Sequence, residues 1–365
     1  MKILVVSNMY PDKKNPFYGT FVKSFYEQLL SIDNISAELS VMHKADNKIS
    51  KLFRYFLFYS KTFFKSLFAG DKLIYIHYAS YSSLPVILAK KINKKLKVFV
   101  NVHGSDVIPE NSRQKRMEKY TKQIIQLSDK VIVPSIYFKN IVLDKYKIDK
   151  SKVVVYPSGG INNRIFNHCN KEQRIKVLED IGLNPSFRTF GMVSRISYGK
   201  GWDVFLHAIS ICNKNNMKAN YLIVGDGPES DQMEELIKKL NLTQVVTVIG
   251  LQDQYKLSQI YNALDFLVFP TERAGESLGL VALEALSCGC PVISSNYAAP
   301  KYYIKNSING YKFDKGNTQQ LSDIMKKCNQ ITKDKYQSLS NESVKSVDPY
   351  LAINITKTLK TILFN

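Results

Sequence analysis

At 365 residues the chain is too long for one typical core and points to two domains. Its 45% hydrophobic and 22% charged content is that of a soluble globular protein, no run approaches the 18 apolar residues of a transmembrane helix, and the opening MKILVVSNMYPD is too short for a signal peptide, so a cytoplasmic protein is expected. The net charge of +20 is uneven: residues 1–160 hold 27 Lys and Arg against 12 Asp and Glu, which suggests an anionic partner for the first half.

Short apolar strands alternate with helical patterns almost from end to end, the mark of parallel α/β sheets. In the first half the predicted strands are 2–7, 36–42, 73–77, 97–102, 130–135 and 152–157. The second half repeats the plan at 189–194, 221–226, 245–250, 265–270 and 291–295, with a weaker GYKF at 310–313. Between them PSGGINNRIF (157–166) is rich in turn formers and reads as a hinge. The expected organisation is two Rossmann-like domains, 1–160 and 161–345, facing each other across a cleft, with a terminal helix in 346–365 returning to the first. The five cysteines are Cys169, Cys212, Cys288, Cys290 and Cys328. Only Cys288 and Cys290 are near neighbours, with no second pair to complete a zinc site, so buried thiols are expected.

Polar, glycine-rich stretches follow several strands: HGSD, RISYGKG, GDGP and PTERAGES. Open α/β sheets bind ligands at that edge. Arg195 and Lys200 place two cations at a strand-to-helix turn, with Gly199 and Gly201 between and after them, which suits a diphosphate as well as it suits ordinary surface charge. No P-loop and no G-x-G-x-x-G fingerprint occurs. SLGLVALEALSCG predicts a helix from Ser277 to Cys288, whose free amides at Ser277, Leu278, Gly279 and Leu280 form an anion site with Gly279 keeping it open. Glu284 falls about two turns deeper, within reach of a ribose. Glu276 stands at the mouth, either to meet sugar hydroxyls or simply as an acid favoured by the helix dipole.

R-x4-K, GDGP and E-x7-E in this order, with HGSD in the first half, resemble the retaining glycosyltransferases of family 4, of the two-domain GT-B fold. The likeness runs from NMYPDKKNPFYGTFV through VVVYPSGGINNRIF to GCPVISSN. It implies a nucleotide-sugar donor, of which a UDP-sugar is the expected form, and no metal or other cofactor. Arg195 and Lys200 would neutralise the diphosphate, Glu284 would hold the ribose and Glu276 the transferred sugar. The amides of Ser277, Leu278, Gly279 and Leu280 would meet phosphate or sugar, Leu251 would lie beside the base, and Gly19 would sit in the first-domain loop nearest the phosphates. His103 would line the reaction centre, in a catalytic set with Glu276, Arg195 and Lys200. The family's linker usually reads Pro-Asn-Gly-Val-Asp where this chain has PSGGI, leaving no acid there, and Glu272 and Arg273 gain no role.

The acceptor side is expected in the basic first half, with a saccharide or lipid-linked acceptor. SKLFRYFLFYSKTFFKSLFAG (50–70) places Lys51, Arg54, Lys61 and Lys65 along one helical face among many aromatics, the pattern of an interfacial helix on anionic lipid at the inner face of the plasma membrane. A helix packed on its own sheet with a solvated basic stripe is the plainer alternative. No nucleic-acid motif accompanies the charge. Two other functions stay open: a GT-B sugar-nucleotide epimerase, which needs no acceptor, and a non-catalytic lipid- or nucleic-acid-binding protein.

Overall fold

In the computed structural model, which describes residues 1–16, 18–168 and 171–364, the chain forms two units. Cys169, and Phe17 and Asn365 of the segments read above, lie outside the described residues. The first unit is Met1–Gly160 with Ile353–Asn365, the second Ile161–Ala352.

The first unit holds β1 (Lys2–Tyr10), β2 (Ser36–His43), β3 (Leu73–His77), β4 (Val98–Asn101), β5 (Lys130–Val133) and β6 (Val153–Val155). All pairs are parallel, in the order β2-β1-β3-β4-β5-β6. Every residue of β3 and β4 is buried, as a sheet covered on both faces requires. Leu4, Ile74, Val98 and Val131 pack to one side with Phe58 and Phe138. Ile3, Val5, Tyr75 and Tyr156 pack to the other with Phe25. The terminal helix Ala352–Phe364 completes this second layer: Ile355, Leu359, Ile362 and Leu363 are buried there, Gln28 donates to Thr356 at 2.8 Å, and Lys130 donates to the Ile362 carbonyl.

The second unit holds β7 (Thr189–Val193), β8 (Asn220–Val224), β9 (Val246–Ile249), β10 (Phe266–Phe269), β11 (Val292–Ser295) and β12 (Gly310–Phe313). They too are parallel, in the order β12-β11-β10-β7-β8-β9. At the N-terminal edge Asp265 is pinned by Arg174 at 2.7 Å, Arg188 at 3.1 Å and the Thr189 amide at 2.8 Å. That cluster staples the starts of β7 and β10. Within the same unit the chain's entry and exit are tied together, with the Ile161 amide donating to Tyr350 and the Ala352 amide to Ile161.

In each sheet the first strand has later strands on both sides, so the chain direction switches beside it. The switch points are β1/β3 in the first unit and β7/β10 in the second. Side chains at the carboxyl ends of those strand pairs are where such sheets take ligands.

Candidate active site

At the second switch point RISYGKG and PTERAGES become one structure. Gly201 has φ +77°, and a Cβ there would lie 2.0 Å from the Pro270 carbonyl oxygen. Gly199 presses on Arg273 in the same way, and the Glu272 amide donates to the Gly199 carbonyl at 2.8 Å. These glycines therefore admit the neighbouring loop rather than a ligand. The result brings Lys200 Nζ to 2.7 Å from Glu276 Oε2, with the two side chains only 16% and 15% exposed. Thr271 is the next group to that carboxylate, at 3.5 Å. Arg195 stands exposed, its carbonyl accepting from the Ser194 hydroxyl at 3.0 Å, and its guanidinium has no ion-pair or hydrogen-bond partner among the described residues. The loop thus holds a largely buried ion pair, and five residues before Lys200 an unpaired guanidinium.

GDGP closes the other flank. Its glycines cross the backbone of residues 194–196 so tightly that a Cβ would meet the Ser194 carbonyl oxygen at 1.9 Å and that of Ile196 at 2.1 Å. The Ile196 amide donates to Asp226, and the Glu229 amide returns to Ile196. Hydrogen bonds from Ser230 and the Gly227 amide hold the Asp226 carboxyl below the usual range. Leu251, just beyond β9, is 75% exposed.

The helix after Glu276 starts later than its apolar pattern predicts. It spans Leu280–Ser287, because Gly279 caps it in the left-handed region at φ +76°. Ser277, Leu278 and Gly279 are consequently loop residues, and of the four amides read as a helix start only that of Leu280 belongs to one. Gly279 is also needed for a different reason than open space: a Cβ would lie 2.8 Å from the Tyr303 hydroxyl. That buried hydroxyl donates to the Leu278 carbonyl at 2.9 Å and reaches the Gly279 carbonyl at 3.2 Å. Glu284 then lies about one turn inside the helix, roughly 6 Å along the axis from Leu280, not two turns. Its carboxylate accepts a hydrogen bond from Tyr261 at 3.0 Å. Burial pushes the Glu284 carboxyl up, and the Tyr261 bond opposes that rise.

In the first unit, Gly19 caps the helix Thr20–Leu30 at φ +77°, and a Cβ would strike the Met9 backbone at 2.7 Å. His103, just past β4, places Nε2 3.0 Å from Nδ1 of His77, the last residue of β3. Phe21 lies against His103 at 4.5 Å between ring centroids. Burial lowers the His103 pKa to about 3 and that of His77 well below its ordinary value, so both rings are neutral near pH 7. Asp106 accepts hydrogen bonds from the amides of His103, Gly104 and Ala79. Its role is to clamp the HGSD loop to the end of β3.

The helix Lys48–Leu67 faces the other way from a simple basic stripe. Phe58, Thr62 and Ser66 turn inward, and Thr62 meets Ser40 of β2 at 2.9 Å. Lys65 is paired with Glu38, which also holds Lys72, and Arg54 donates to the Lys44 carbonyl. Of the four cations expected at a surface, Lys51 and Lys61 are exposed, while Arg54 and Lys65 are drawn into contacts with the protein. What lies opposite the buried face is apolar: Ile49, Leu52, Phe53, Phe56, Leu57 and Phe64 are exposed, with Phe68 just beyond.

Sequence reasoning missed Tyr261, Tyr303 and His77. Tyr261 and Tyr303 sit 23 and 24 residues from the groups they serve, with no local pattern to link them. His77 did leave a signal, a polar residue closing the wholly apolar strand LIYIH. Cys212, Cys288, Cys290 and Cys328 are buried thiols, and among the described residues no three His, Cys, Asp or Glu side chains gather as a metal site. No described helix is long and apolar enough to cross a membrane.

Comparison with known proteins bears on the two units as domains. Residues 31–159 match the profile of Glycosyltransferase Family 4, and residues 173–345 that of Glycosyl transferases group 1. The chain carries the two domains of a group 1 glycosyltransferase. Among curated relatives, the N-acetyl-alpha-D-glucosaminyl L-malate synthase of Bacillus anthracis is 28% identical over 257 residues, covering 69% of this chain and 63% of its own. A D-inositol 3-phosphate glycosyltransferase of Segniliparus rotundus is 26% identical over 196 residues, covering 53% and 42%. The chain spans less than two thirds of the length of these relatives. Solved structures share the whole fold: a Rickettsia africae glycosyltransferase at TM-score 0.78 and 20% identity covers 99% of this chain and 97% of its own. Anabaena HepE in complex with UDP stands at TM-score 0.78 and 16% identity, covering 99% and 98%. These glycosyltransferase domains are therefore of the GT-B fold, two parallel six-stranded sheets in an α/β chain.

Proposed function

We propose that the protein transfers a sugar from a nucleoside diphosphate sugar to a saccharide or lipid-linked acceptor hydroxyl, with retention. The observation that carries this is the second unit's switch point, where Lys200 and Glu276 form an ion pair beyond the ends of β7 and β10 and Arg195 follows β7 in the chain. Cations there neutralise a diphosphate as its bond to the sugar breaks, which is where electrostatic stabilisation counts most. Glu276 grips the transferred sugar, Glu284 with Tyr261 holds the ribose, and the amides of Ser277 to Leu280 meet phosphate or sugar. Leu251 lies beside the base, and Gly19 belongs to the loop of the first unit assigned to the phosphates. His103, neutral and half-buried, offers a hydrogen bond to the transferred sugar. The anomeric carbon loses its bond to the diphosphate oxygen and gains one to the acceptor oxygen, and the acceptor proton passes to the departing diphosphate. No metal is required in this reading, since the two cations supply the neutralisation. HepE crystallised with UDP-glucose supports a UDP-sugar as donor.

The acceptor is presented at a membrane. The exposed apolar stripe of the helix Lys48–Leu67 inserts shallowly at an anionic bilayer, flanked by Lys48 and Lys61, with Lys51 exposed on the sheet-facing side near the helix start. Surface polysaccharide or glycolipid assembly on the cytoplasmic face fits that placement. A panel of nucleotide sugars, each with and without lipid-linked and saccharide acceptors, tests the transfer. Acceptor-dependent product is expected. Conversion of donor alone would point instead to an epimerase, and inert donors in every pairing would return the chain to a binding role.

A further inference from the structure

We infer that His77 is a positioning residue that holds His103 in the tautomer protonated at Nδ1. The rings meet Nδ1 to Nε2 at 3.0 Å, so one nitrogen donates and the other accepts. The geometry of that pair fits either assignment, and the far side of His77 decides between them. His77 is fully buried, and its Nε2 has no partner. It is walled by Phe25 and Tyr75, with ring centroids at 4.5 and 5.1 Å. If His103 donated, His77 would have to carry its own proton on Nε2, leaving a buried N–H with nothing to receive it. If His77 donates from Nδ1, only a bare lone pair is left in that wall. Orphaned buried donors are the rarer and costlier outcome. His77 therefore donates, His103 Nε2 accepts, and the His103 proton resides on Nδ1. Nδ1 has no partner among the described residues, so its N–H stays available to an incoming oxygen. Phe21 on one side and the Asp106 clamp on the loop leave the ring little room to turn.

The consequence for function rests on the proposed role of His103 at the transferred sugar: His77 makes that residue a hydrogen-bond donor, not an acceptor. Long-range proton–nitrogen correlation spectra of the wild-type protein read the tautomer directly, and with five histidines in the chain the assignment is tractable. The expected spectrum shows His103 protonated at Nδ1, and protonation at Nε2 overturns the inference. Kinetics supply a second reading. His77→Leu should lower kcat by about 10- to 100-fold with donor KM within about twofold, the size of effect a misplaced reacting group produces. His77→Asn keeps an amide N–H where Nδ1 stood and should recover to within about threefold of wild type. Equal damage from both substitutions would make His77 a packing residue only. A wild-type protein that transfers no sugar while showing the Nδ1–H spectrum would sink the transferase reading and leave the hydrogen bond standing.

Discussion

The two switch points are built from the same topology and furnished oppositely. At β7/β10 the polar groups are charged: Lys200 against Glu276 at 2.7 Å, with Arg195 exposed beside them. At β1/β3 and the adjoining end of β4 the Asp106 carboxyl is taken up by backbone amides, and what remains are two histidines stripped of charge by burial and packed among Phe21, Phe25 and Tyr75. A diphosphate needs fixed cations, which cost little to keep where solvent still reaches. A sugar hydroxyl needs a donor of fixed direction, which an aromatic wall supplies without attracting stray anions. Similar sheets are thus furnished for different chemistry at their switch points.

The charged site should break hardest. Lys200→Ala is expected to lower kcat/KM by about 100- to 1,000-fold, the usual cost of removing one charge-stabilising donor. Glu276→Gln should slow transfer by a comparable factor yet bind the free nucleoside diphosphate as well as wild type or better, since a carboxylate beside the diphosphate is gone. Weaker nucleotide binding in that variant would remove Glu276 from the sugar end.

Glycine tests whether the loops are one structure. Gly201→Ala combines a left-handed backbone with a contact of 2.0 Å to the Pro270 carbonyl, and should cost more than about 2 kcal/mol in denaturant unfolding. Gly182→Ala has a similar φ of +74° with nothing within 4 Å, and should cost only about 1 kcal/mol. Equal losses would mean that the loop contact contributes little.

Vesicle binding probes the first unit's outer surface. Phe53→Ser with Phe56→Ser should weaken binding to anionic liposomes by at least about 100-fold at low salt, given roughly 1.5–3 kcal/mol for each large apolar side chain buried. Unchanged binding would assign the stripe to another partner.

The pH dependence of stability separates the two regions by sign. Burial lowers both histidine pKa values, so below about pH 6.5 the unfolded chain takes up protons that the folded one refuses. Stability should fall as pH drops from about 6.5 toward 3, by about 1.4 kcal/mol per pH unit from His103, with His77 adding to the fall in the same direction. Glu284 acts in reverse. Its raised pKa removes stability as pH rises through the carboxylate range. His103→Asn should flatten the acid side of the curve in urea titrations, and an unaltered slope would contradict the neutral pair.

All twelve strands are legible in the sequence, the inner ones as continuous buried apolar runs and the partly exposed edge strands β2 and β9 by alternation and length. Even the short GYKF is a full strand at the sheet edge. The site residues are legible as clusters at strand ends, but their pairings are not. Nothing local to RISYGKG says that Lys200 meets Glu276, 76 residues on, since that follows only from β7 lying beside β10. The helix start was misplaced because apolar periodicity runs back through Leu278, and only the backbone angle of Gly279 breaks it. The helix Lys48–Leu67 is amphipathic by pattern, yet pattern alone does not say which face the sheet takes. Small Thr62 and Ser66 beside β2, with Glu38 recruiting Lys65, decide it.

A calorimetric titration of UDP into the wild-type protein and the Arg195→Ala, Lys200→Ala double variant bears most directly on the β7/β10 site. Saturable binding to the wild type, weakened at least about 100-fold in a double variant that still folds, is the predicted result. Equal affinity for both proteins, or none for the wild type, would contradict a donor diphosphate held at that switch point.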